Sequence, residues 1–123
     1  MASAEPVVIN RGDIPATPIG EGGSGGTMWR LVHMSNTGSG VLFGLFRLEP
    51  GQAGDFTLPT PSGMREEIYY LLAGELDVQW EDGRMTVEAG QAIFFPTGRR
   101  YQIAPAGGDA VDIVWTGFPS PLL

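Results

Sequence analysis

One carboxylate stands out among the residues that can do chemistry. Glu67 lies in the run Met64-Arg65-Glu66-Glu67-Ile68-Tyr69-Tyr70-Leu71-Leu72, where aromatic and aliphatic residues surround an acidic pair. Successive side chains of a β-strand alternate between faces, so Glu67 shares a face with Tyr69 and Leu71, and Glu66 with Ile68 and Tyr70. A carboxyl on an apolar face without a cation beside it is desolvated, which raises its pKa toward neutrality. There it serves as a general acid or base. Tyr101, which parity groups with Arg99 and Ile103, offers a phenol that can hydrogen-bond a carbonyl or a developing enolate. Thr60 and Ser62 can orient a substrate or a water. Such groups suit proton abstraction beside a carbonyl, and so isomerisation, cyclisation, dehydration or elimination, but not redox chemistry. The competing reading makes Glu67 a stability element bonded to Tyr101, Thr60 or Arg99, with Tyr69, Phe94, Phe95 and Tyr101 as core packing.

Metal chemistry has little to work with. The chain has one histidine, His33, and no cysteine. A catalytic transition-metal site draws on about three protein ligands, usually imidazoles and carboxylates. His33, Glu67, Tyr101 and Asp55 form the one unusual set available, so the expectation is no metal and no cofactor. His33 reads first as a hydrogen-bonded histidine of an early strand, alternating with Trp29 and Leu31. Arg47 is a candidate pocket residue, because either it or Phe46 must face inward.

The elements that must position these groups are strands. With 123 residues, the chain suits one domain. Its 19 glycines and 10 prolines favour tight turns over helices. Alternation begins at Thr27, pauses at Ser35-Asn36-Thr37-Gly38-Ser39-Gly40, and resumes from Val41 to Glu49. Further strands are read at 66–72, 75–80, 84–87, 91–95, 100–104 and 111–116. Glu81-Asp82-Gly83 reads as a hairpin turn, through the positive φ that Asp-Gly tolerates. Many short strands without a helical period predict an all-β sandwich or barrel. Residues 1–26 form a Pro/Gly-rich N-terminal segment ending in GEGGSGG, read as a mobile loop, and residues 119–123 a short tail. Arg11-Gly12-Asp13 reads as a turn.

The net charge of -7 opposes binding to nucleic acid, which needs a cationic surface, and to anionic membranes. No apolar run approaches the ~20 residues of a membrane helix. MASAEPVVIN lacks the basic-then-apolar pattern of a secretory signal, so a soluble, cytoplasmic protein is expected.

Two spacings complete the reading. Gly54, Glu67 and Gly74 fit the pattern G-x5-H-x-H-x4-E-x6-G, with Thr60 and Ser62 at the histidine positions. Gly90, Pro96 and Gly98 fit G-x5-P-x-G-x2-H-x3-N, with Tyr101 at the histidine and Pro105 at the asparagine. The chain thus resembles the cupin superfamily from about Trp29 to Phe118. The resemblance implies a single-domain jelly-roll β-barrel (a double-stranded β-helix) over residues 27–118. It turns Glu67, Tyr69 and Tyr101 into a pocket that usually holds a metal. Three of the four usual ligands are absent here, which removes most of the warrant for metal-centred chemistry. Similar cupins dimerise through N-terminal strands, so a homodimer is expected, with residues 1–26 as a dimer arm or a lid. The leading expectation is a metal-independent isomerase, cyclase or lyase acting on a small carbonyl compound, polyketide or sugar-like, through Glu67 and Tyr101. Thr60, Ser62, Tyr69, Arg99, His33 and Arg47 are the candidate substrate-binding residues. The alternatives are a non-catalytic small-molecule binder and a metal enzyme using His33.

Overall fold

Alternation of buried and outward side chains along its main strands organises the chain into two antiparallel sheets. The computed structural model describes residues 5–119. Its strands are β1 (Thr17–Pro18), β2 (Thr27–Val32), β3 (Leu42–Leu48), β4 (Gly54–Leu58), β5 (Met64–Ala73), β6 (Glu75–Trp80), β7 (Gly83–Glu88), β8 (Ala92–Phe95), β9 (Arg99–Pro105) and β10 (Val111–Pro119). A one-turn helix, α1 (Met34–Thr37), interrupts β2 and β3. One sheet runs β1-β2-β3-β10-β5-β8 and the other β4-β9-β6-β7.

Every second residue of β10 is buried, through Val111, Ile113, Trp115 and Gly117. On β5 the buried set is Met64, Glu67, Tyr69 and Leu71. These faces meet Leu76, Val78, Tyr101 and Ile103 of the second sheet, and Leu48, Leu58 and Phe95 complete the core. Burying a large apolar side chain stabilises by about 1.5–3 kcal/mol, so this inner face provides much of the driving force for folding. The architecture is the all-β jelly roll expected from the sequence.

Three local expectations are corrected. β4 is an unforeseen strand: Phe56 and Leu58 alternate with Asp55 and Thr57, and the five residues pair with β9. The turn after β2 contains helical residues, because the His33 backbone N–H donates to Asn36 Oδ1 at 3.0 Å and Gly38 closes the turn in the left-handed conformation. The hairpin between β6 and β7 forms, but without positive φ at Gly83. Gly83 is needed for space instead, since a Cβ there would lie 2.3 Å from the Trp80 ring.

The N-terminal segment is tied to the barrel rather than loose. Thr17 and Pro18 pair with β2, Gly25 N–H donates to the Ile19 carbonyl at 2.8 Å, and Gln52 Nε2 donates to the Gly23 carbonyl at 2.9 Å. Gly26 has φ 101°, and a Cβ there would come within 2.6 Å of the Arg47 carbonyl. Glycine here permits close approach, which composition alone had suggested as flexibility. Arg11–Asp13 forms the expected turn, with the Arg11 guanidinium 4.9 Å above the Trp29 ring. β10 continues through Pro119 opposite Met64, and the rest of the expected C-terminal tail lies outside the described residues.

Candidate functional site

Glu67 is the one charged side chain among the described residues that is buried in the core, with 7% of its surface exposed. β5 holds it there because Tyr69 and Leu71 on the same face are anchored in the hydrophobic interior. Burial without a paired cation raises its carboxyl from an ordinary 4.5 to about 7. The Trp115 and Tyr69 side chains oppose the rise by hydrogen bonding to the ionised form. Burial in turn drives the Tyr69 phenol well above its ordinary value, reinforced by the neighbouring Glu67 charge. Tyr69 therefore stays protonated and can donate.

Glu67 opens onto a cavity of about 550 Å³ that is open to solvent, with Arg30, Asp55 and Ser62 exposed among its lining residues. Its apolar wall includes Ile19, Met28, Leu42, Phe46, Phe56, Met64 and Trp115, and its polar groups are Arg30, Asp55, Thr60, Ser62, Glu67 and Tyr69. A wider depression of about 830 Å³ lies over Trp80, Glu81, Arg99 and Arg100. Exposed polar side chains line most of it and Glu67 does not, so the buried carboxyl belongs to the smaller space.

The structure brings Glu67, Tyr69, Thr60 and Ser62 to one cavity. Thr60 Oγ1 and Ser62 Oγ lie 3.0 Å apart, and Thr60 Oγ1 accepts the Met64 N–H at 2.9 Å. The pair shares one internal hydrogen bond and leaves a hydroxyl proton for a ligand. Tyr101 is placed elsewhere: its hydroxyl donates to the Pro96 carbonyl at 2.8 Å, and it does not line the cavity. Its ring packs edge-on against Phe95 at 5.0 Å, and Phe56, 5.4 Å away, links it to the cavity wall. Of the two phenols, Tyr69 lines the cavity and Tyr101 does not.

The remaining candidates also lie outside. Arg99 begins β9 on its exposed side and pairs with Asp82 at 3.1 Å, so parity with Tyr101 does not carry it inward. Phe46 faces in, and Arg47 faces out to Asp112 and Glu49, each at 2.8 Å. His33 caps α1 and does not reach the cavity. Sequence reasoning missed Arg30, Phe56 and Trp115. The alternation around Phe56 and Trp115 was a usable signal, but the inward side of β2 was not readable, and Met28 and Arg30 take it rather than Trp29 and Leu31.

The cavity can be tested against the metal that cupin motifs usually hold. Its donors are the Glu67 carboxylate, the Asp55 carboxylate already held by Arg100, two aliphatic hydroxyls and a phenol kept protonated, without an imidazole. Among the described residues no three His, Cys, Asp or Glu side chains cluster. Neutral hydroxyls are weak donors, so these residues do not fit a transition-metal centre.

The family model described as the cupin domain matches residues 44–117. The chain belongs to the cupin family. A predicted oxalate decarboxylase from Thermotoga maritima is similar in structure, with TM-score 0.74 and 22% identity over 93% of this chain and 100% of that one. The polyketide cyclase RemF from Streptomyces resistomycificus gives TM-score 0.72 and 19% identity over 92% and 79% of the two chains. A cupin 2 conserved barrel protein from Salinispora arenicola gives 0.67 and 14% over 97% and 92%. At these identities the likeness establishes the fold. Among curated proteins no match was found.

Proposed function

We propose that this cupin is a metal-independent acid/base enzyme acting on a small carbonyl compound, with Glu67 as the base. The observation that carries the reading is a carboxyl buried at the wall of a mainly apolar cavity and titrating near neutrality. In its ionised form Glu67 takes a proton from the carbon beside the carbonyl. Tyr69 or the Thr60–Ser62 pair donates to the carbonyl oxygen as negative charge develops there. Returning the proton to another carbon isomerises the compound, and attack by the enolate carbon on a second carbonyl cyclises it. That a predicted oxalate decarboxylase and a polyketide cyclase have this fold is consistent with the proposal but does not choose a substrate.

Proton abstraction is tested directly by deuterium exchange beside the carbonyl. A panel of cyclic and aromatic ketones in deuterium oxide is followed by NMR with wild type and Glu67→Gln. Exchange above the buffer rate that is lost in Glu67→Gln supports the base. Absence of exchange with every bound ketone removes it. The apolar wall of Ile19, Met28, Leu42, Phe46 and Phe56 favours the second reading, a pocket that only holds its ligand, and this second result would establish that reading.

We further propose a homodimer through the outer face of the larger sheet. Tyr70, Leu72 and Phe94 stand there 43%, 55% and 53% exposed on the paired strands β5 and β8. Light scattering should give twice the chain mass, falling to one in Phe94→Lys; a monomeric wild type would refute the interface.

A further inference from the structure

Arg30 is the one cation on the cavity wall. Among the described residues it forms no ion pair, whereas Arg47, Arg84, Arg99 and Arg100 each hold a carboxylate. Asp55, the other acid on the wall, is held by Arg100, whose Nε donates to Oδ1 at 2.8 Å. Arg11 and Arg65 also hold no acid among the described residues, but of the three only Arg30, itself solvent-exposed, borders the apolar cavity, where its guanidinium can meet an anionic ligand.

The sheet register separates Arg30 from Glu67. Arg30 on β2 stands opposite Gly44 on β3, Gly44 opposite Trp115 on β10, and Trp115 opposite Tyr69 on β5. Glu67 lies two residues from Tyr69, opposite Gly117. At about 4.8 Å per strand, the backbones of β2 and β5 are roughly 14 Å apart along the sheet. Gly44 places no side chain between Arg30 and Trp115, and the β2 backbone packs closely over it, since a Cβ there would lie 2.1 Å from the Trp29 carbonyl. The two long polar side chains shorten the span and leave the width of a small molecule. The separation also matters chemically. Arg30 is not among the groups that shift Glu67, so the base is not neutralised by its own cation.

We infer that Arg30 is a substrate-anchoring residue that receives a carboxylate, so that the ligand is a small keto acid with its carbonyl at Glu67 and its carboxylate at the β2 side. This inference rests on the carbonyl chemistry proposed above and adds the second functional group of the substrate. A guanidinium presents parallel N–H donors that match a carboxylate, and an anchor at a distance from the reacting carbon fixes which proton faces the base.

The test uses levulinate and benzoylpropionate, each beside its methyl ester, so that carbonyl and size are kept while the charge is removed. Calorimetric titration of the wild type should show the acids binding roughly tenfold or more tightly than the esters, as expected for charge-assisted hydrogen bonds. Arg30→Gln should bring the acid-to-ester ratio close to one, and Arg30→Lys should restore part of it. An unchanged ratio in Arg30→Gln, equal binding of acids and esters by the wild type, or no binding of either acid at millimolar concentration would overturn the assignment. Deuterium exchange on the same compounds separates the two proposals. Exchange without an acid preference refutes Arg30 and keeps Glu67. An Arg30-dependent preference without exchange keeps the anchor and refutes the base.

Discussion

Replacing Glu67 by glutamine isolates the cost of holding a carboxylate in this barrel. Its carboxyl moves from an ordinary 4.5 to about 7 on folding, chiefly through desolvation. The folded protein therefore holds a proton that the unfolded chain has released between those values, and stability must fall as pH rises across that window. At about 1.4 kcal/mol per pKa unit, the loss amounts to roughly 3 kcal/mol and is complete just above pH 7. Below pH 4.5 both states carry the proton and Glu67 contributes its full stability. Glutamine resembles the protonated acid in shape and charge but cannot titrate. The difference between Glu67→Gln and wild type should thus be small at pH 4.5 and should swing by about 3 kcal/mol in favour of the variant by pH 8. Urea denaturation at half-unit pH steps reads this directly, because the other titrating groups are common to both proteins and cancel. Parallel stability curves from pH 4 to 8 would refute the reasoning, since they would mean that the carboxyl titrates alike in the folded and unfolded chain.

Three further outcomes follow from the same geometry. The rate of deuterium exchange on a bound ketone should rise with pH around a midpoint near 7, where Glu67 becomes ionised; a midpoint at that of an ordinary carboxyl would place the base elsewhere. Tyr69→Phe should move that midpoint upward, because it removes a hydrogen bond to the ionised carboxylate, whereas Tyr101→Phe should show itself in denaturation, at about 1–3 kcal/mol, by leaving the Pro96 carbonyl without its donor. Gly26→Ala combines a positive φ with a Cβ 2.6 Å from a backbone carbonyl and should cost on the order of 1–3 kcal/mol, read as a lower denaturation midpoint; an alanine variant as stable as wild type would show that this segment moves aside.

The glycines and the two motif spacings were enough to establish a cupin barrel, because turn positions and strand alternation are local properties. Gly74, with φ 83° and a Cβ that would lie 2.4 Å from the Ala110 carbonyl, shows why such a position is legible. Local parity also placed Tyr69 and Leu71 beside Glu67, correctly. It failed wherever one strand had to be related to another. Arg99 shares parity with Tyr101 but stands at the start of β9, where the inner face has not yet closed around it. Tyr101 lies in the core as its position suggests, yet its hydroxyl is committed to a carbonyl five residues away. Arg30 was passed over because a strand of alternating large residues does not declare which side is inner. That choice is made by the pairing of β2 with β3, and it turned Trp29 outward and Arg30 toward the cavity. The sequence by itself determined most of the strands, the barrel and a lone buried acid. Only the tertiary structure decided which phenol, hydroxyls and cation that acid shares a cavity with, because such neighbours are set by the order and register of strands far apart in the chain.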